Sequence, residues 1–233
     1  MAEVTIGCFH EHLPEVGPDT AIVAIDVIRA TTTAITAVTL GHRLHPAGSI
    51  EAAVRLAADL DRPILAGELG GVQPYGFDMQ NSPSAMIELE VSSRPIILLS
   101  TSGTRLIAEA EGRGACHVSC LRNARAQGEQ LAREGGDALI LGADSRGEFR
   151  EEDQLCAARI ARVLVEAGHR VADGFTDEIL ERWGDAPDDA FLGSRSARYL
   201  RDTGQDRDLD FVLGHIDDLA GVFTMRHGEV REA

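Results

Sequence analysis

The stretch Ala21-Ile22-Val23-Ala24-Ile25-Asp26-Val27-Ile28-Arg29-Ala30-Thr31-Thr32-Thr33 decides how this chain is read. An unbroken aliphatic run, Ala21 to Ile25, closed by a charge has the length and composition of a buried strand. The threonines that follow mark a helix start, with hydroxyls available to cap backbone N–H groups. A carboxylate at the strand's end, Arg29 just beyond it and a helix N-terminus then share one small space. Carboxylates attract hard cations and helix N-termini attract anions, so such a space suits both side by side. A plain strand–turn–helix, in which Asp26 and the threonines only cap, explains the stretch equally well.

The same alternation recurs on either side. Short aliphatic runs predict strands at Val4–Cys8, Ala21–Ile25, Arg43–Pro46, Ile64–Ala66, Ile96–Leu99, Cys116–Ser119 and Ala138–Leu141. Helical patterns fall between them near 31–40, 49–60, 83–90, 104–111, 123–134 and 151–167. In the last of these, Leu155, Cys156, Ile160, Val163 and Leu164 form one apolar stripe opposite Arg159, Arg162 and Glu166. Strands alternating with helices predict an α/β fold, a three-layer α/β/α arrangement with a largely parallel sheet. From about Gly168 the pattern turns helical and acidic, with turns at Gly184, Pro187, Gly193 and Gly204. The expected organisation is an α/β core over 1–167 that carries the site. A helical C-terminal extension over 168–233 packs on it and ends in a strand at Val222–Met225.

Charge narrows the partners. Against 38 acidic residues stand 22 basic ones, a net charge of −16, which argues against nucleic acid and anionic membranes. Every one of those basic residues is arginine, so a phosphate loop with its lysine, a Schiff-base lysine and a lysine general base are excluded. An anionic ligand must be captured by local arginines and backbone amides. Cys8, Cys116, Cys120 and Cys156 form no C-x-x-C pair and read as reduced, mostly buried thiols. No signal peptide is expected from Met1-Ala2-Glu3, and no apolar run reaches membrane-spanning length. The expectation is a soluble cytoplasmic protein.

In α/β sheets ligands gather at the carboxyl ends of strands. Beyond Asp26 and Arg29, those ends carry Gly67-Glu68-Leu69-Gly70-Gly71 and Gly76-Phe77-Asp78-Met79-Gln80-Asn81-Ser82-Pro83. Further on come Ser100-Thr101-Ser102-Gly103-Thr104-Arg105, Cys120-Leu121-Arg122-Asn123, and Glu151-Glu152-Asp153 at a helix start. Ser100–Arg105 has the makings of an anion cradle, because an arginine in a first turn opposes the helix dipole and seeks an anionic partner. Its plainer alternative is a hydroxyl-capped helix. Glu68, Asp78, Glu152 and Asp153 are candidate ligands of Mg²⁺, which needs only one or two carboxylates beside water and substrate oxygens. Acids at a helix start and an Asp before a turn have structural uses as well. His10-x-His12 and His42-x-x-His45 lack the cysteine partners of a zinc site. The chain contains neither G-x-S-x-G nor G-x-G-x-x-G.

Taken together, these segments resemble the 2-phosphosulfolactate phosphatase family, phosphohydrolases of coenzyme M biosynthesis. The resemblance rests on Ile25–Thr33, Gly67–Gly71, Gly76–Pro83, Ser100–Arg105, Leu121–Ala124 and Phe149–Asp153, and covers roughly residues 20–165. It implies a Mg²⁺-dependent hydrolase that takes phosphate from a small anionic phosphoester bearing carboxylate and sulfonate. Carried over by position, Asp26, Arg29, Glu68 and Asp78 are the implied catalytic set, and Asp26, Glu152 and Asp153 the implied metal ligands. Thr31, Thr32, Asn81, Ser102, Gly103, Thr104 and Asn123 are the implied substrate contacts. A homodimer is left open by the sequence. Leu69 stands where the family usually has arginine, Ser102 where it has asparagine, Gln80 where it has glycine and Gly142 where it has cysteine. A non-hydrolytic small-anion-binding protein on the same scaffold is the alternative these departures suggest.

Overall fold

The computed structural model describes residues 1–9, 13–90 and 94–233; the His10-x-His12 pair therefore lies outside the described residues. The chain runs β1 (Glu3–Phe9), β2 (Ala21–Ile25), α1 (Ala30–Thr39), β3 (Leu44–Ala47), α2 (Ile50–Asp59), β4 (Ile64–Gly67) and α3 (Pro83–Met86). It continues through β5 (Ile96–Leu99), α4 (Gly103–Ala110), β6 (Ala115–Ser119), α5 (Ala124–Glu134), β7 (Ala138–Ala143) and α6 (Glu151–Glu166). After these come β8 (Arg170–Val171), α7 (Gly174–Trp183), α8 (Arg195–Asp202), α9 (Asp206–Gly214), β9 (Phe223–Arg226) and β10 (Glu229–Glu232). Among the described residues no helix is long and apolar enough to cross a membrane.

All these strands join one sheet in the order β4-β5-β3-β10-β9-β6-β2-β7-β1-β8. The aliphatic runs of β2, β5 and β7 are buried along their whole length, as strands covered on both faces must be. Their alternate residues serve different cores. Val23 and Ile25 join Val4, Ile6 and Ile140 against the helices from α5 onward, whereas Ile22 and Ala24 join Leu139 and Leu141 around α1 and α4. The three layers expected from the sequence are therefore present.

The segment 168–233 holds the expected helices but also builds sheet. β8 extends the edge beside β1, and β9 and β10 form a hairpin in the middle of the sheet. His227 and Gly228 take the hairpin's turn with φ of 53° and 74°, both in the left-handed region that two-residue hairpin turns demand. β10 carries one apolar residue, Val230, among charges, so it has no strand signature of its own. Its buried Glu229 is neutralised by Arg43 at 3.2 Å and Arg231 at 2.9 Å.

The hairpin has a topological consequence. It pairs antiparallel to β6 on one side and to β3 on the other, so β4-β5-β3 and β6-β2-β7-β1-β8 are parallel half-sheets running in opposite directions. One core nonetheless gathers residues from β7 through β4 around α1 and α4, as happens when a sheet coils about the helices on one face. That coiling brings carboxyl ends from both half-sheets to a single cleft.

Candidate active site

Asp26 sits where β2 ends. Its N–H donates to Thr31 Oγ1 at 3.0 Å, the Thr31 hydroxyl donates back to the Asp26 carbonyl at 2.9 Å, and Thr32 Oγ1 donates to the Val27 carbonyl at 2.7 Å. Both threonines are thus turned onto the backbone of the turn and hold its shape; neither reaches the cleft wall. The implied substrate role of Thr31 and Thr32 gives way to this structural one. The Ala30 N–H donates to Asp26 Oδ1 at 3.2 Å, while Oδ2 lies against the first residue of α4. A Cβ on Gly103 would stand 2.1 Å from Asp26 Oδ2, so only glycine admits the carboxylate there.

The start of α4 divides its labour. Ser100 and Thr104 exchange hydrogen bonds, N–H to hydroxyl in both directions, and Thr104 Oγ1 also donates to the Ala47 carbonyl at 2.7 Å. Thr104 is fully buried and supports the loop from behind, away from the cleft. Ser102 lines the cleft. Glu68, from the end of β4, ties two loops together. Thr101 donates to it twice, from N–H at 2.8 Å and hydroxyl at 2.9 Å, and the Gly71 N–H donates at 2.6 Å.

The first turn of α6 supplies the third acid. Asp153 Oδ1 accepts the Val27 N–H at 2.7 Å, which locks α6 to the β2–α1 turn. Asp26, Glu68 and Asp153 line the cleft, with Glu152 buried beside Asp153. Withdrawal from water pushes the Asp26 carboxyl up to about 7; the Ala30 amide resists, Glu68 and Glu152 add to the rise, and Arg29 opposes it. Burial, then Glu152 and Asp26, hold Asp153 well above the usual carboxylate range. Burial likewise raises Glu152, against the Ser196 and Ser194 hydroxyls.

Three crowded acids raise the question of a cation. Among the described residues no three His, Cys, Asp or Glu side chains form a ready-made cage. Mg²⁺ does not require one, and Glu152 Oε2 is buried without a hydrogen-bond partner among the described residues. Carboxylates that raise one another's pKa, beside an unsatisfied carboxylate oxygen, form a donor set that fits a hard divalent cation.

Arginines complete the wall. Arg29 Nη1 donates to Asp208 Oδ2 and to Gln205 Oε1, each at 2.5 Å, and both partners belong to the C-terminal segment. Asp208 Oδ1 accepts from Ser82 Oγ and Ser84 Oγ at 2.6 Å and from the Ser84 N–H at 3.0 Å, which anchors α9 to α3. Asn81 lies on the wall, buried, its Oδ1 without a partner among the described residues. Arg146, Arg150 and Arg195 also face the cleft, and Tyr199 of α8 donates from its hydroxyl to the Gly71 carbonyl at 3.0 Å. Of these four only Arg146 stands among the polar groups just past a predicted strand, Ala138–Leu141; the sequence assigns no role to the other three or to Asp208. Arg150 directly precedes Glu151-Glu152-Asp153, but nothing in the helical C-terminal pattern marks Arg195, Tyr199 or Asp208.

Two further candidates are placed elsewhere. Asp78 is exposed, and its Oδ2 accepts the Leu65 N–H at 2.8 Å, satisfying a donor on edge strand β4 rather than facing the cleft. Asn123 is fully buried; its Oδ1 accepts from Ser119 Oγ at 3.1 Å and the Cys120 N–H at 3.0 Å, so it shapes the β6–α5 turn. Leu69 is 38% exposed and off the cleft wall. At Gly142 a Cβ would meet the Phe149 ring at 2.1 Å.

The family described as 2-phosphosulpholactate phosphatase matches residues 9–227. The chain belongs to the 2-phosphosulfolactate phosphatase family. It is 31% identical to a probable 2-phosphosulfolactate phosphatase of a Synechococcus species, over 93% of this chain and 91% of that protein. With the protein of the same printed name from Parasynechococcus marenigrum it shares 30% identity over 97% and 98% of the two chains. A probable 2-phosphosulfolactate phosphatase of Symbiobacterium thermophilum is 41% identical over 145 residues, 61% of this chain and 62% of that one. The match to a relative in Carboxydothermus hydrogenoformans likewise spans 62% of that protein. Membership of the 2-phosphosulfolactate phosphatase family covers the C-terminal segment too, in which Gln205 and Asp208 grip Arg29.

Proposed function

We propose that this chain is a Mg²⁺-dependent phosphoric monoester hydrolase that converts 2-phospho-3-sulfolactate to 3-sulfolactate and phosphate in the cytoplasm. The observation that carries the reading is a cleft with an acidic wall, Asp26, Glu68 and Asp153, joined to a wall of four arginines. That combination suits a cation and a multiply charged anion together.

Asp26 and Asp153 would hold Mg²⁺, which when bound neutralises phosphoryl charge and makes water more acidic. The chain's own groups do the rest. Arg29, fixed by Asp208 and Gln205, offers the phosphoryl group a charge that need not reorganise as the transition state forms. The N-terminus of α4 adds its dipole beside Asp26. Glu68, immobilised by Thr101 and Gly71, orients the attacking water and receives its proton. The P–O bond to the lactate oxygen breaks, and the released hydroxy acid takes up a proton. The reading is tested by following phosphate release from 2-phosphosulfolactate with Mg²⁺ and with chelator. Turnover that stops on chelation is expected; turnover indifferent to chelator contradicts the metal's role.

A further inference from the structure

Beside the start of α6 lies a second hollow, of about 490 Å³, a size that small-molecule sites commonly have. α7 gives it one whole face: Phe175, Glu178, Ile179 and Arg182 recur at i, i+3, i+4 and i+7, and α8 adds Arg195 and Arg198 one turn apart. Part of the lining is apolar. The rings of Phe149 and Phe175 lie 6.4 Å apart between centroids with 34° between their planes, near buried Ile179, and Phe175 is 47% exposed. Most of the charges around it are taken. Arg182 donates to Glu151 at 3.3 Å and lies over the Trp183 ring, and Arg195 donates to Glu148. Arg150 pairs with Glu148 at 2.6 Å, and its charge also faces Glu152 and Asp153. Two charges remain. Glu178 of α7 and Arg198 of α8 are exposed and have no ion-pair or hydrogen-bond partner among the described residues.

We propose that this hollow binds an amino acid with an aromatic side chain, its ring against Phe149 and Phe175, its carboxylate on Arg198 and its ammonium on Glu178. The chemistry of the lining selects that class. A third ring covers apolar surface that Phe175 leaves in water, in the tilted or offset packing that aromatic rings prefer. One unclaimed cation and one unclaimed anion match a ligand that carries both signs, whereas a simple anion would satisfy Arg198 and leave Glu178 opposed. The site lies outside the Asp26 cleft, with Arg150 and Arg195 as the partition that lines both, and does not rest on the hydrolase reading.

Calorimetric titration of L-phenylalanine into the full chain tests this. Its comparators are 3-phenylpropanoate, which lacks the ammonium, phenethylamine, which lacks the carboxylate, and L-alanine, which lacks the ring. L-phenylalanine is expected to bind about tenfold tighter than either singly charged analogue, the scale of one charge-assisted hydrogen bond, and L-alanine not to saturate. Arg198→Gln is expected to weaken L-phenylalanine and 3-phenylpropanoate about tenfold and to leave phenethylamine within about twofold. Glu178→Gln is expected to do the converse, weakening L-phenylalanine and phenethylamine and sparing 3-phenylpropanoate. Phe175→Ala is expected to weaken all three ring compounds about fivefold. Equal losses for every ligand in R198Q and E178Q would mark a merely structural change and overturn the site, as would a native chain that does not bind L-phenylalanine. Loss of binding in excess inorganic phosphate would put the ligand in the Asp26 cleft instead, and that result overturns the site too.

Discussion

Asp26 is held by contacts that leave little room for change. A Cβ built on Gly103 would stand 2.1 Å from its Oδ2. Gly103→Ala must displace either Asp26 or the start of α4, and misplacement of about 1 Å at a reacting centre costs on the order of a hundredfold in rate. We expect kcat/KM to fall by about that factor in G103A while the chain stays folded; an alanine variant within about threefold of the native rate would show that Asp26 does not need its observed position. The same carboxylate sets a pH dependence. Its pKa rises from 3.8 to about 7 in the native state, so between those values the native chain binds more protons than the unfolded one. Stability in chelator therefore falls as pH increases from about 4 to about 7. Asp26→Asn is expected to lessen that fall, as read by Tm at pH 5 and pH 8; an unaltered pH slope would contradict the cost of burying this carboxylate. Asp26, Arg29 and Glu68 were legible because charges at the end of an aliphatic run are conspicuous. Thr31, Thr32, Thr104 and Asn123 looked alike as candidates, but whether a short polar side chain faces a cavity or its own backbone is decided by rotamer and turn, which spacing does not encode.

At the scale of elements, the C-terminal helices are part of the site. α9 holds Arg29 through Asp208, and α8 reaches loop 68–72 through Tyr199. In Asp208→Asn the Arg29 guanidinium remains, with its exposure near 4%, facing a neutral partner. Breaking a buried pair from one side costs about 3–5 kcal/mol. In a chain of this size that corresponds to a Tm lower by roughly 10 °C. A shift under about 2 °C would mean that the pair contributes little. These long-range pairings join residues far apart in sequence, and a single sequence carries no trace of them. The strands and most helices were legible from aliphatic runs and the stripe on α6. β10 was not, since its place in the sheet depends on Arg43 and Arg231 rather than on hydrophobicity.

For the whole molecule, the hairpin β9–β10 joins two half-sheets that run in opposite directions. Removing residues 223–233 would strip Phe223, Met225 and Val230 from the core around α1 and α4 and open two inner strand edges. Such a truncation is expected to lose cooperative unfolding by circular dichroism; a cooperative melt would show that the half-sheets hold together without the hairpin. The coil they form brings Asp26 and Asp153 from one half-sheet to Glu68 and Ser102 from the other. The strand-end rule reached these loops without the topology, because loops gather wherever the carboxyl ends converge. Phosphate release from 2-phosphosulfolactate tests most directly whether this junction is a Mg²⁺-assisted phosphoesterase centre. The native chain should release phosphate with Mg²⁺, stop in chelator and resume when Mg²⁺ is restored, with Asp26→Asn at least about a thousandfold slower, as for loss of a charge-stabilising group. No release from the native chain, or equal release from D26N, would contradict a phosphoesterase centre built on Asp26.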